Sequence, residues 1–546
     1  MANCRVPDVP VSEVSAVEPL ASDRPADYDV GSFSDDAPWI VRRDQLTWTT
    51  GIGVLRAATR RQVPELTTPR KLPPLRRLVI VTWHLGRALL LWAIKERRQG
   101  GSVSRAGISR RLREAAEVLG PTYIKLGQVI SSGEGLFPEE LVSEFRLCRD
   151  KVPAEPWDVV SGVVETELGG PIAATFMEFD QTPLAAASIA QVHRARLLNG
   201  QEVVVKVQRP TIRTQVHQDL RVMAWLAPFM VGRIPIAALA NPPALVELFA
   251  ETICEELDFR LEAENMLDVA HVFALLGQRG FVVPRPHPKL VTRRMLVMER
   301  LIGFGFDDVE EMQAAGIDTT EVIRIGLKGF TEGCMIHGIF HGDLHGGNLF
   351  VLHDGRIGLL DFGITARMTP LQRNAFLRLM MTAATGDIMG QLAAFRDLGA
   401  LPPDTDLREV FLDLGLDQTP VDPTAMSQEQ LVGEIQRIIK ALLGYGARLP
   451  KILMLYVKNL MFLDGAIAKL APELDILGEF MNLSIHMATT HGDQIAADMG
   501  IDPSELNVDP AAIKASFGIV DPDMDKVTYQ DLQARRDVIR KRLSGS

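Results

Sequence analysis

The sequence predicts an α+β chain of two lobes, a small β-rich one ahead of a large helical one, with a helical extension in front. Three observations carry this. Between Gly169 and Pro210 the residues alternate and are rich in β-branched types, and Asn199-Gly200 sits between two strand-like runs, the strongest short-range signal for a hairpin. From Ser104 to Arg149 apolar residues recur at helical spacing. From Thr320 onward the sequence is again mostly helical.

Composition bounds the rest. The chain has 546 residues and is 47% hydrophobic, enough for two or three domains or one large one. With 58 basic and 69 acidic residues the net charge is −11, which argues against a nucleic-acid partner. Four cysteines, Cys4, Cys148, Cys254 and Cys334, show no CxxC pairing. They point to a reducing cytoplasm and away from a disulfide framework or a structural zinc.

The elements follow in order. Residues 1–40 are polar and acidic, predict a disordered tail, and lack the charged start and apolar core of a secretory leader. Residues 41–103 are basic and apolar. Within them Leu78–Ile94 carries His84 and Arg87, and it lies between Arg70, Arg76, Arg77 and Lys95, Arg97, Arg98. At about 17 residues it is short for a span; it reads either as a helix lying on an anionic membrane surface or as an amphipathic helix packed on the domain. A second apolar run, Val222–Val231, is interrupted by Pro228 and reads as core. Residues 104–168 form the helical extension, punctuated by Gly120-Pro121 and Phe137-Pro138, where helices can start. Residues 169–302 form the sheet lobe, with one long helix expected from Asn241 as N-cap through Met266 and strands around Arg294–Leu301. Residues 303–500 make the helical lobe and 501–546 a tail. The apolar run Leu449–Leu470 is broken by Lys451, Lys458 and Asp464, so no span is expected there.

The chemistry concentrates in "FHGDLHGGNLF" and "IGLLDFG". Asp343, Asn348 and Asp361 follow each other as acid, amide and acid, beside glycines or apolar runs. That order suits phosphoryl transfer: one carboxylate orients the attacking hydroxyl or water, while the amide and the second carboxylate offer oxygens to Mg2+. Lys206, in the strand-like "VVVKV", can meet nucleotide phosphates. Acids at Glu256, Asp258 and Glu262 on the expected long helix are its candidate partners; Glu256 and Glu262 would lie about 120° apart, so the two need not serve the same lysine and either can be the one that pairs with it. His337, His341 and His345 recur every four residues, but the intervening glycines speak against a helical zinc site. His341 is expected to order the loop backbone.

These residues, in this order, resemble a protein-kinase-like fold. Four departures narrow the resemblance. Ala185-Ala186-Ala187-Ser188 stands where a glycine-rich loop would cover the nucleotide; Lys125 to Gln128 spell KxGQ in the extension; Glu256-x-Asp258 precedes Glu262; and only Ile364–Met368 separate Asp-Phe-Gly from Thr369-Pro370, leaving no activation segment. With the VxVK strand, D-x4-N and DFG, this set is similar to the UbiB/AarF atypical kinase-like family, associated with coenzyme Q biosynthesis.

The resemblance implies a two-lobed protein-kinase-like fold whose β-rich N-lobe and helical C-lobe are preceded by the KxGQ extension. It implies ATP and Mg2+ as cofactors, Asp343, Lys206 and Glu262 as catalytic residues, and Asn348 and Asp361 as metal ligands. Ala185, Ala186, Ala187, Ser188, Lys206, Glu299 and Leu301 would line the nucleotide site, with Met298 as gatekeeper. Lys125 would reach Glu256 so that the KxGQ helix covers the peptide-docking surface, with Gln128 and Asp258 in the same regulatory group; Lys125 and Gln128 share a helix face at i,i+3. The expected activity is ATP hydrolysis tied to membrane lipid or quinone metabolism, in the cytoplasm with a peripheral seat on the cytoplasmic membrane face. The pathway stays open between ubiquinone, menaquinone and another lipid. The alternatives are a small-molecule kinase of the aminoglycoside or choline kinase type and a nucleotide-binding scaffold without catalysis.

Overall fold

Alternation in one strand organises the small lobe. Val203, Val205 and Val207 project from one face of Glu202–Gln208 and are buried; Val204 and Lys206 project from the other. The computed structural model describes residues 33–34, 43–69, 74–131, 138–147, 153–230, 242–417 and 450–502, with short pieces within 437–447 and 527–537. The expected terminal tails and the Asn241 cap fall mostly or wholly outside the described residues.

Ahead of the sheet come α1 (Ile52–Thr67), α2 (Leu75–Lys95), α3 (Gly101–Leu119), α4 (Pro121–Ser131), α5 (Glu139–Arg146) and α6 (Trp157–Leu168). The antiparallel sheet contains β1 (Phe176–Phe179), β2 (Ala185–Ala186), β3 (Ala190–Leu197), β4 (Glu202–Gln208), then β6 (Pro286–Val291) and β7 (Met295–Glu299) after the short strand β5 (Phe281–Val282), in the order β1-β3-β4-β7-β6 with β2 on β3. The β3–β4 hairpin turns at Asn199-Gly200, where Gly200 takes φ +89°, a conformation open to glycine.

Helix α6, which the sequence assigns to the extension, instead covers the sheet: Val160, Val163 and Val164 pack with Val203, Val205, Val207 and Val297. The opposite face of the sheet looks onto the cleft.

The expected single helix from Asn241 to Met266 is two. After α7 (Ile212–Met230), helix α8 (Pro242–Glu256) stops, Leu257 and Asp258 break the chain, and α9 (Phe259–Leu275) begins. Asp258 takes extended dihedrals and its carboxylate accepts from the Arg260 N–H, the behaviour of an N-cap. The 120° relation between Glu256 and Glu262 therefore lapses, because the two acids lie on different helices. Val222, Met223, Ala224 and Ala227 on α7 are buried, as a core run should be.

The helical lobe holds β8 (Gly303–Gly305), α10 (Val309–Ala314), α11 (Thr319–Glu332), β9 (Ile339–His341), β10 (Leu349–Leu352), β11 (Ile357–Leu359), β12 (Thr365–Arg367), α12 (Pro370–Thr385), α13 (Ile388–Asp397), α14 (Leu407–Asp413), α15 (Lys451–Leu470) and α16 (Ile476–Met499). Thr369 and Gln372 form a capping box that starts α12 immediately after β12, so the segment after Asp-Phe-Gly is short. One contiguous core runs from the extension (Leu119, Tyr123) through α7–α9 to the C-lobe (Phe362, Phe376, Leu455).

The 78–94 segment is longer than expected: α2 has 21 residues and is the one helix among the described residues long and apolar enough to cross a membrane. One of its faces is committed to protein. Val81 and Ala88 are buried, and Arg77 Nε lies 2.5 Å from Asp219 Oδ1 of α7. The other face carries Leu75, Val79, Trp83, Leu90 and Ile94, each more than three-fifths exposed.

Candidate functional site

The cleft between the lobes has a volume of about 840 Å³ and is lined by residues of both. Because β4 alternates, Lys206 leaves the valine face and enters the cleft, where its Nζ lies 2.7 Å from Glu262 Oε1 and 3.1 Å from Asp361 Oδ1. Glu262 reaches it because α9 restarts at the Asp258 cap and turns this residue inward; it is 3% exposed. Burial works against the charge on Lys206, but Asp361 and Glu262 outweigh it and hold its pKa above the usual lysine value. Burial pushes Glu262 up to about 7 against the pull of Lys206.

Asp361 sits at φ +57°, the one non-glycine residue with positive φ among the described residues, and its side chain is 42% exposed. The surroundings hold that unusual backbone in place: Asn265 of α9 donates to the Phe362 carbonyl at 2.8 Å, Phe362 is 1% exposed, and the Gly363 N–H donates to Asp361 Oδ1 at 3.2 Å. Burial would raise the Asp361 carboxyl, yet Lys206 and Lys125 hold it well below the usual range.

The catalytic-type loop follows β9. His341 accepts the Asp343 N–H on Nδ1 at 3.1 Å and, through Nε2, donates to the Leu360 carbonyl at 3.0 Å, so it ties the loop to the strand that leads to Asp361. Gly342 is required here, since a Cβ would stand 2.8 Å from Ile364 Cγ2 and 3.0 Å from its carbonyl oxygen. Asn348 Nδ2 donates to the Asp343 carbonyl at 3.0 Å, which fixes the amide flip and turns its oxygen away from that bond. The three spaced histidines fall in three elements: a π-turn, β9 and the N-cap of a 3-10 turn. A different trio converges outside the cleft, where Glu332 accepts from His486 at 2.6 Å and His491 at 3.1 Å.

Asn348 and Asp361 present hard oxygen donors beside a lysine, a set that fits Mg2+ with phosphate and fits thiophilic metals poorly. Above them α4 closes the front. Lys125 Nζ lies 3.1 Å from Glu256 Oε1 and 4.0 Å from Asp343 Oδ2, and Gln128 lines the same cleft. Burial works against Lys125 as a cation, and Glu256 and Asp343 raise its pKa regardless.

One expected residue is placed otherwise. Asp258 is spent on the α9 cap and on Arg260 (Oδ2 to Nη2, 2.8 Å), away from both lysines. The Glu299 N–H donates to the Arg285 carbonyl at 2.9 Å, and Met298, Glu299 and Leu301 all line the cleft. Ala185 and Ala186 form β2 against Gln191 and Val192 at the roof, with Ala187 and Ser188 beside them.

Sequence reading missed three residues of the site. Arg209 fixes the roof, donating to the Ala187 carbonyl at 3.2 Å and the Pro153 carbonyl at 2.8 Å. Asn459 of α15 accepts the Leu344 N–H at 3.1 Å and donates to the His341 carbonyl. Lys458, its neighbour, contacts Asp343. The only signal for the last was its charge inside a hydrophobic run.

A model of the ABC1 atypical kinase-like domain matches residues 147–393. The protein Rv0647c of Mycobacterium tuberculosis is 33% identical over 484 residues, covering 85% of this chain and 97% of that protein. An aarF domain-containing protein kinase of Arabidopsis thaliana chloroplasts, At5g05200, is 33% identical over 396 residues, 67% of this chain and 72% of that one. "Probable protein kinase UbiB" of Aeromonas hydrophila is 30% identical over 399 residues, 72% of this chain and 71% of its own length.

Proposed function

Because the chain belongs to the ABC1 atypical kinase-like family, together with the UbiB and aarF-domain kinases, we propose that it binds ATP with Mg2+ and hydrolyses it beside a membrane in lipid or quinone metabolism. The observation that carries this reading is Lys206 held between Glu262 and Asp361 in a cleft that also receives Asp343 and Asn348. In it, Lys206 meets the α/β phosphates, Asn348 and Asp361 hold Mg2+, and Asp343 orients the attacking water. A bound Mg2+ neutralises phosphate charge as it develops. The Lys125–Glu256 pair and the short segment after Asp-Phe-Gly support hydrolysis over transfer to a polypeptide, since a substrate chain finds its docking surface covered.

A peripheral seat on the membrane is supported by α2. Its inner face is tied to the protein through Arg77 and Asp219, which favours lying on a bilayer over crossing it. Its outer apolar stripe is bordered by Arg76 and Arg87 and ends near Lys95, Arg97 and Arg98, a distribution suited to anionic lipid.

The test is ATP turnover by the full chain with and without anionic vesicles and quinone precursors, with Asp343→Asn as control. Mg2+-dependent phosphate release, raised by vesicles and lost in the control, is expected. Phosphate appearing on an added metabolite would make the protein a small-molecule kinase instead; nucleotide binding with no turnover would make it a scaffold.

A further inference from the structure

Between Asp343 and Asn348 the loop reads Leu-His-Gly-Gly, with no lysine or arginine of its own. A cation arrives from elsewhere. Lys458, in the middle of α15, contacts Asp343 Oδ1 with its ammonium, and its side chain is 15% exposed in the cleft lining.

Three features show that α15 is built to hold it there. Lys451, two turns earlier on the same face, pairs with Glu255 Oε2 of α8 at 3.1 Å, which sets the register of the helix. Asn459, fully buried, grips the loop backbone on both sides of Asp343 through the His341 carbonyl and the Leu344 N–H. Lys125 stands 4.0 Å from the other oxygen, Asp343 Oδ2, so the carboxylate is bracketed by one cation from the lid and one from the C-lobe. A lysine stem held at a single carboxylate has lost most of its rotamer freedom, which packing alone would not require.

We propose that Lys458 is a positioning residue for the phosphoryl chemistry: its ammonium holds the Asp343 carboxylate in one orientation toward the nucleophile. This rests on the ATP-hydrolysis reading above. Lys458 acts at the Asp343 end of the cleft, whereas Lys206 acts at the other end beside Glu262 and Asp361. Its removal should therefore separate turnover from binding.

The test compares Lys458→Met, Lys458→Arg and Asn459→Ala with the unaltered full chain, measuring kcat and KM for MgATP and the melting temperature. Expected are a loss of about 10²-fold in kcat for Lys458→Met, a KM within about threefold, and partial recovery in Lys458→Arg, which keeps the charge. Asn459→Ala should lower the melting temperature more than Lys458→Met does, since it strips two buried backbone partners. Equal kcat in Lys458→Met and the unaltered chain overturns the proposal. So does an equal loss in Lys458→Met and Lys458→Arg that tracks their melting temperatures. No hydrolysis by the unaltered chain would overturn the underlying reading as well, which distinguishes the two failures.

Discussion

Lys206 Nζ lies 3.1 Å from Asp361 Oδ1, joining a strand of the small lobe to the Asp-Phe-Gly turn of the large one. With Glu262 on its other side, the lysine spans three elements separated by 56 and 155 positions in sequence. A cation so placed would be preorganised for the phosphate of the proposed nucleotide, because two acids already fix its position.

Asp361→Asn should therefore remove Mg2+-dependent nucleotide affinity while sparing the fold. The amide keeps the size of the side chain but loses the charge that faces Lys206 and that would hold the proposed Mg2+. Calorimetry with and without Mg2+ should show a loss of at least about 100-fold in MgATP affinity. Unchanged Mg2+-dependent affinity would remove Asp361 from the ligand set.

The lid pair supports a double-mutant cycle. Glu256 is 5% exposed, and Lys125→Met leaves its carboxylate buried without a cation. Such a loss costs about 3–5 kcal/mol. Lys125→Met with Glu256→Gln should recover part of it, since no charge is then left buried. Additive losses in urea unfolding would show that the two side chains do not depend on each other.

Much of this site could be read from the chain because its parts are short, polar and locally patterned. The β4 alternation exposes Lys206, the glycines around Asp343 mark a close-packed loop, and Thr369-Pro370 announces the helix that cuts the following segment short. What escaped was decided by tertiary packing. Asp258 looks like a third acid on one helix, but its own carboxylate ends up capping α9, and propensity alone does not reveal where two helices meet. Lys458 reads only as an interruption of a hydrophobic run and Asn459 does not stand out at all, because nothing local says that α15 passes behind a loop more than a hundred residues earlier.

The alanine roof gives a third test. Ala186 pairs with Gln191 at the cleft margin, where a glycine would loosen β2 and let the backbone approach phosphate. Ala186→Gly should shift the ratio of ADP to ATP affinity by about threefold or more, or permit phosphate incorporation into the chain itself. An unchanged ratio with no incorporation would show that the roof does not select the nucleotide.

The α2 stripe calls for substitution, not deletion, because Val81, Ala88 and Arg77 hold the inner face to the core. Val79→Asp, Trp83→Asp and Leu90→Asp together change only exposed positions. The triple variant should keep its melting temperature and lose most of its pelleting with anionic vesicles. Equal pelleting would show that this stripe does not seat the protein on anionic lipid.

Two half-buried histidines should each make stability fall with acid. His287 Nδ1 accepts the Lys289 and Leu290 N–H groups, each at 3.1 Å, so it must stay unprotonated; burial and Lys289 push its pKa down to about 4. Burial and Arg373 do the same to His337, again to about 4. For each, the unfolded chain takes up a proton near pH 6.5 and the folded chain does not. The contribution is therefore complete above about 6.5 and is lost as the pH drops toward 4, with a slope of up to about 1.4 kcal/mol per pH unit per group. Glu262, raised to about 7, works in the opposite direction over an overlapping range, so the His287 contribution is read from the difference between a variant and the unaltered chain. His287→Asn keeps a side-chain acceptor for the turn and removes the titration. Urea unfolding from pH 7 to 4.5 should be flatter in this variant than in the unaltered chain, and parallel curves would show that His287 titrates alike in both states.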